Sequence, residues 1–218
     1  MLETEQKHLA KLLTAARDST YGKYLPLFVE SFPMKTGKMQ RRVNAFVKPV
    51  DFHHYYTMNE VHAKHESLDG RHLAWIFKRM LTVIGFAHIH GIIHGAILPE
   101  HCLLDTVGHG IQLVGWGQSI EKGKTISMIS SKHKGMYPKE VLEKKPAGFE
   151  TDIFMAANCI EYLAGDCLTV PLEIQRFINS CLLPGMSMRP KNAWELQDEF
   201  EKLLGTVYGK PRYVKLAM

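Results

Sequence analysis

Apolar residues recur along the chain with two periods, and the change from one period to the other divides it into helices and strands. In residues 3–16, ETEQKHLAKLLTAA, Leu9, Leu12, Leu13 and Ala16 fall at i, i+3, i+4 and i+7, which sets them on one face of a helix. Acidic residues in its first turn, with Lys11 and Arg17 later, suit the helix dipole. Residues 25–32, LPLFVESF, and 42–47, RVNAFV, are short apolar runs on either side of PMKTGKMQR, and they predict a β-hairpin with a glycine-containing loop. Lys48-Pro49-Val50 follows as a connector, because proline has no N–H for a strand ladder and holds its predecessor extended. A short helix is expected over Met58 to His65, with Thr57 as its cap and Glu60 completing a capping box.

Residues 69–90, DGRHLAWIFKRMLTVIGFAHIH, carry the strongest helical pattern. Leu73, Ile76, Phe77, Met80, Ile84 and Ala87 form a wide apolar stripe, and Asp69 can cap its start. The next stretch, GIIHGAILPEHCLLDTVGHGIQLVGWG (91–117), reads as an apolar strand, a tight loop, a second strand, a glycine-rich turn and a third strand ending on Gly115-Trp116-Gly117. Residues 118–139 are polar, hold Thr125, Ser127, Ser130 and Ser131 among lysines, and read as a loop. Thr151 and Asp152 then cap the apolar helix IFMAANCIEYLAG. Amphipathic helices follow over 171–183 and 193–207, with the Pro184-Gly185 break between them, and the basic tail 208–218 is expected to pack loosely. Many helices with a few short, locally paired strands make the expected class α+β.

Composition narrows the picture without redirecting it. A chain of 218 residues with 45% hydrophobic content can bury the core of one large domain or two small ones. His, Lys or Gly interrupts every apolar run well before the roughly 20 residues that span a bilayer, and the start MLETEQKHLAKLL lacks the order of a signal peptide. The expected location is cytoplasmic, with no membrane partner. The net charge of +5 is spread along the chain rather than gathered in a stripe, which predicts a solvated surface and no nucleic-acid partner. Cys102, Cys159, Cys167 and Cys181 form no CxxC pair, so reduced, mostly buried thiols are expected. His88, His90 and His94, with His101 and Cys102 nearby, raise the question of a metal. His88 and His90 point to different sides of a helix and no carboxylate stands at a ligand spacing, so none is expected.

The stretch 91–117 resembles the catalytic loop and metal-binding segment of the eukaryotic-type serine/threonine protein kinases, whose pattern is I-H-R-D-L-K-P-E-N-x-L-L-D and then a strand ending in D-F-G. His94, Pro99, Glu100, Leu103, Leu104, Asp105 and Gly117 fall where that family has them. The chemistry departs. Ala96 stands at the catalytic Asp, Leu98 at the phosphate-contacting Lys, and His101 and Gly115 at the two metal ligands. Further positions match in order: Glu5 with the small-lobe helix Glu, Tyr137-Pro138-Lys139-Glu140 with A-P-E, Asp152 with the Asp that accepts backbone hydrogen bonds from the catalytic loop, and Arg189 with the Arg that pairs with the A-P-E Glu. The phrases HGAILPEH and VGWGQS are similar to a bacterial subgroup of the kinase-like proteins.

The resemblance covers roughly residues 3–205. It implies a kinase-like α+β fold with a reduced small lobe of one helix and a hairpin (1–48), a mostly helical large lobe (49–207) and a tail (208–218). It also implies a buried Glu140–Arg189 bridge, and His94 stacked near Trp116 and bonding backbone groups. No residue matches the glycine-rich loop or the strand Lys that would pair with Glu5. Phosphoryl transfer works by positioning the triphosphate, neutralising it with metal ions and orienting the acceptor. With each of those side chains replaced, the resemblance implies a pseudokinase with no catalytic residue, no bound ATP, magnesium or other cofactor, and a scaffolding role toward a protein partner. The alternative is a divergent ATP-dependent serine/threonine kinase or other phosphotransferase completed by missing N-terminal strands.

Overall fold

In the computed structural model every residue is described except Lys38, Val50, Cys167, Leu168 and Thr169. Helix α1 (Leu2–Ala15) buries Leu9 and Leu12 on the face their spacing predicts, with Glu5 and His8 buried beside them. After a 3₁₀ turn at Thr20–Tyr24, strand β1 (Phe28–Thr36) pairs antiparallel with β2 (Met39–Phe46). These strands run further than their apolar runs. Thr36 lies opposite Met39, so most of PMKTGKMQR is strand. Gly37 has φ of 62°, which a two-residue hairpin demands and glycine adopts without strain. Pro33 is tolerated within β1 because both strands of a two-stranded ribbon are edges.

The connector leads to β3 (Tyr55–Thr57) and α2 (Met58–His65). Thr57 Oγ1 accepts the Glu60 N–H at 3.2 Å and Glu60 Oε2 accepts the Thr57 N–H at 2.7 Å, a complete capping box. Helix α3 (Gly70–Ile89) starts at Asp69, whose carboxylate takes the Arg71 N–H at 2.7 Å. Its burial exceeds the predicted stripe, since Leu81, Val83 and Phe86 are covered as well, and two of the later helices pack along it.

Four short strands follow: β4 (Ile92–Ile93), β5 (Cys102–Asp105), β6 (Gly110–Leu113) and β7 (Ile120–Glu121). β3, β5 and β6 form an antiparallel sheet in that order, and β4 pairs with β7. Two readings of the sequence are corrected here. The third strand of the 91–117 stretch ends at Leu113, because Gly115 turns the backbone left-handed at φ of 79° and Trp116–Gln118 forms a 3₁₀ turn. The polar segment after it is not all loop, since Ile120 and Glu121 find partners in Ile93 and Ile92.

The remaining helices are α4 (Lys139–Leu142), α5 (Phe149–Ala164), α6 (Leu172–Cys181) and α7 (Ala193–Tyr208). Helix α5 begins earlier than expected. Gly148 is its cap residue, and Thr151 and Asp152 lie inside its first turn, with Thr151 Oγ1 accepting the Gly148 N–H at 3.3 Å. The C-terminal tail does not pack loosely. Leu216 is buried, the His65 ring donates from Nε2 to the Ala217 carbonyl at 2.8 Å, and the Tyr213 hydroxyl donates to the Val107 carbonyl at 3.1 Å.

The architecture is α+β, with helices α3, α5, α6 and α7 forming the body and small antiparallel sheets beside it. The β1–β2 ribbon rests on α1, held by Asn44 Nδ2 donating to the Leu2 carbonyl at 3.1 Å. Among the described residues no helix is long and apolar enough to cross a membrane. Cys102, Cys159 and Cys181 are buried and free, and burial pushes the Cys181 thiol up to about 12. Cys167 lies outside the described residues.

Candidate functional site

The loop between β4 and β5 is fixed from below by one carboxylate. Asp152, in the first turn of α5, is fully buried and accepts the His94 N–H at 2.7 Å on Oδ2 and the Gly95 N–H at 2.9 Å on Oδ1. The same Oδ2 accepts from His88 Nε2 at 3.0 Å, so the end of α3 and the start of the loop share an anchor. A charged acceptor surrounded by three donors offsets the cost of its burial.

His94 is held on both ring nitrogens. Nε2 donates to the Val114 carbonyl at 3.0 Å, and Nδ1 accepts the Ala96 N–H at 3.2 Å, a set of partners that only the neutral ring satisfies. Its ring meets Trp116 edge-on, with centroids 4.6 Å apart and planes at 71°, rather than stacking on it. Trp116 is buried and donates from Nε1 to the Leu113 carbonyl at 2.7 Å.

Burial lowers the His94 pKa from 6.5 to about 4. The folded state therefore binds fewer protons than the unfolded chain between those values, and stability is complete above the unfolded pKa and falls as pH drops toward the folded one. The expected loss for this group is about 2 kcal/mol between roughly pH 7 and pH 5, from about 1.4 kcal/mol per pKa unit. Burial pushes His8, His72 and His109 down too, so their contributions carry the same sign. Urea unfolding across that range tests this, and stability that is level or rising toward acid would refute it.

The four positions read as having lost reactive groups lie close together. Ala96 and Leu98 are buried, at 0% and 1% exposure, with their side chains in the core. The Ala96 carbonyl accepts from His101 Nδ1 at 2.7 Å, which fixes the His101 ring. That ring lies over Gly115, where a Cβ would sit only 2.7 Å from His101 Cγ. With φ of 79° as well, position 115 admits no side chain unless His101 moves.

The other predicted residues are distributed as follows. Pro99 and Glu100 form a 3₁₀ turn with His101, and Glu100 Oε2 is 2.5 Å from His133 Nε2. Gly117 faces the backbone of Met1 at the start of α1. Glu5, on α1, accepts from Asn44 Nδ2 of β2 at 2.9 Å. Glu140 and Arg189 meet in a bidentate bridge of 2.7 Å and 3.1 Å. Thr151 Oγ1 donates to Glu140 at 3.1 Å, while Arg189 also donates to the Leu183 and Pro184 carbonyls and lies over the Phe154 ring. This network ties the segment 137–142 to the loop before α7.

Sequence reasoning missed Asn44 and His133, and it gave Thr151 a capping role but not its bond to Glu140. Their partners lie on other elements or in another turn, and no local spacing marks them. Histidines 88, 94 and 101 point to Asp152, the Val114 carbonyl and the Ala96 carbonyl respectively, and the described residues contain no group of three or more His, Cys, Asp or Glu able to hold a metal ion. No family model and no curated protein matches this chain.

Proposed function

We propose that this chain is a catalytically inactive, protein kinase-like scaffold, a cytoplasmic pseudokinase that binds another protein. The observation that carries this reading is the His101 ring lying over Gly115. Magnesium takes hard oxygen ligands in near-octahedral geometry. At the two positions where the resemblance expects such ligands, one residue has no side chain and the other fills the space with an imidazole bonded to a backbone carbonyl. Ala96, at the position of the acceptor-orienting Asp, is wholly enclosed and has no side-chain heteroatom.

That loop keeps its anchors, Asp152 beneath it and His94 against Trp116, and the segment 137–142 keeps its own in the Glu140–Arg189 pair. A scaffold needs those parts and not the reactive ones. The surface that suits a protein partner is the β1–β2 ribbon, which leaves Val29, Phe32, Met34 and Met39 exposed on a two-stranded sheet too small to be independently stable.

Thermal unfolding in the presence of ATP and magnesium tests the reading. The expected result is an unchanged midpoint at millimolar nucleotide. A ligand at 100 times its Kd adds about 2.7 kcal/mol, a shift of several degrees, so a saturable rise that requires both ATP and the metal would refute it.

A further inference from the structure

A cavity of about 320 Å³ lies between the first half of α3, the last turn of α7 and the tail that follows it. Ala74, Trp75, Leu204, Tyr208 and Val214 give it an apolar lining, and all five are buried or half-buried. An aromatic stack fixes the tail to α3, because the His109 ring lies between Trp75 and Tyr213 with centroids 4.5 Å away on either side. The walls are therefore set without a ligand. Its volume falls at the lower end of the range for small-molecule sites, which are mostly apolar with a few charged groups.

The rim is cationic and lacks matching anions. Glu201 is the one carboxylate among the lining residues, and Lys78 pairs with it at 2.8 Å. Arg71, Lys210 and Arg212 remain, and none has a carboxylate partner among the described residues. The negative end of the α7 dipole accounts for Lys210, which directly follows the cap Gly209. It does not account for Arg71, which stands in the first turn of α3, at that helix's positive end, with its guanidinium 4.8 Å from the Tyr208 ring centroid.

A second observation comes from α7 itself. Gly205 lies within that helix, before its cap, where glycine is less stable than alanine. A Cβ added there would meet no atom within 4 Å, so no described neighbour requires the glycine. Gly205 lines the cavity, and its bare backbone keeps that space open.

We propose that this cavity binds an aromatic monoanion, a small molecule with a flat apolar body and one carboxylate or sulfonate. The lining suits a ring, since Trp75 and Tyr208 supply aromatic surface and the planar Arg71 guanidinium stacks well on rings. The acidic group meets the cations Arg71, Lys210 and Arg212 at the rim, while the body stays against the apolar wall. The inference stands on this cavity alone and does not depend on the function proposed above.

The test titrates the whole chain with anilinonaphthalene sulfonate, an aromatic monoanion, and with N-phenylnaphthylamine, which has the same rings and no charge. Probe fluorescence gives the affinity and amide NMR gives the location. One saturable site is expected, with amide shifts centred on residues 71–78 and 204–214, and the neutral probe should bind at least about tenfold more weakly. The double variant Lys210→Gln/Arg212→Gln, altered only at exposed tail positions, should bind the anion about tenfold more weakly. Gly205→Leu should weaken binding by at least about tenfold while its thermal midpoint stays level or rises, which separates a filled cavity from a lost fold. Equal affinity for the neutral probe, unchanged affinity in either variant, or shifts confined to the β1–β2 ribbon would overturn the proposal.

Discussion

Replacing Arg189 with leucine is expected to destabilise the fold by roughly 3–5 kcal/mol, the usual cost of removing one partner from a buried ion pair. The side chain is fully buried, and it satisfies both Glu140 oxygens and two backbone carbonyls, of Leu183 and Pro184. Its loss leaves a buried carboxylate whose one remaining side-chain hydrogen bond among the described residues comes from the Thr151 hydroxyl. The double variant Glu140→Leu/Arg189→Leu should be far less damaged than the sum of the two single changes, because no uncompensated charge remains. Urea denaturation of the three variants measures this. A single-variant loss below about 1 kcal/mol would place the bridge among exposed pairs that contribute little.

The second large effect is expected at Asp152. Changing it to alanine strands the His94 and Gly95 N–H groups and the His88 Nε2–H, all buried, at about 1–3 kcal/mol for each unmatched group. Relaxation will recover some of this, and a net loss of roughly 4 kcal/mol is expected. Asp152→Asn should fall between, since its amide oxygen still accepts while its NH₂ faces a donor. Amide exchange adds a local readout: the His94 and Gly95 protons should exchange faster in Asp152→Ala than in a variant of equal global stability altered elsewhere. Equal exchange in the two would show that Asp152 supports α5 rather than the loop.

What could be read from the sequence was whatever the chain encodes over a few neighbouring residues. The Thr57–Glu60 box and the Asp69 cap are decided within three positions, and both helices start where those residues stand. The apolar stripes of α1 and α3 give their buried faces for the same reason. The β1–β2 ribbon was under-read because much of it is exposed on both faces, so Lys35 and Gln40 carry no alternation to mark a strand. β7 escaped notice because two residues hold it in place through partners 27 and more positions away in the chain, a fact of topology rather than pattern. The tail looked loose because it is basic, yet its apolar positions, Leu216 and Met218, are the ones that reach the core.

The candidate site divides along the same line. Ala96 and Gly115 lack reactive atoms by identity, and any reader of the sequence can see it. That His101 lies against Gly115 and takes its own partner from Ala96 could not be seen, because it depends on a loop and a strand end brought together by the β5–β6 pairing. The tautomer of His94 was hidden likewise, being set by the Val114 carbonyl 20 positions away.

The most direct measurement of the central claim is phosphate transfer from γ-labelled ATP, with magnesium or manganese, to the purified chain itself and to a generic basic acceptor protein. The account predicts no incorporation above that of a sample without the chain. Label that appears in proportion to the chain, and that falls when His101 or Asp105 is replaced by alanine, would contradict it.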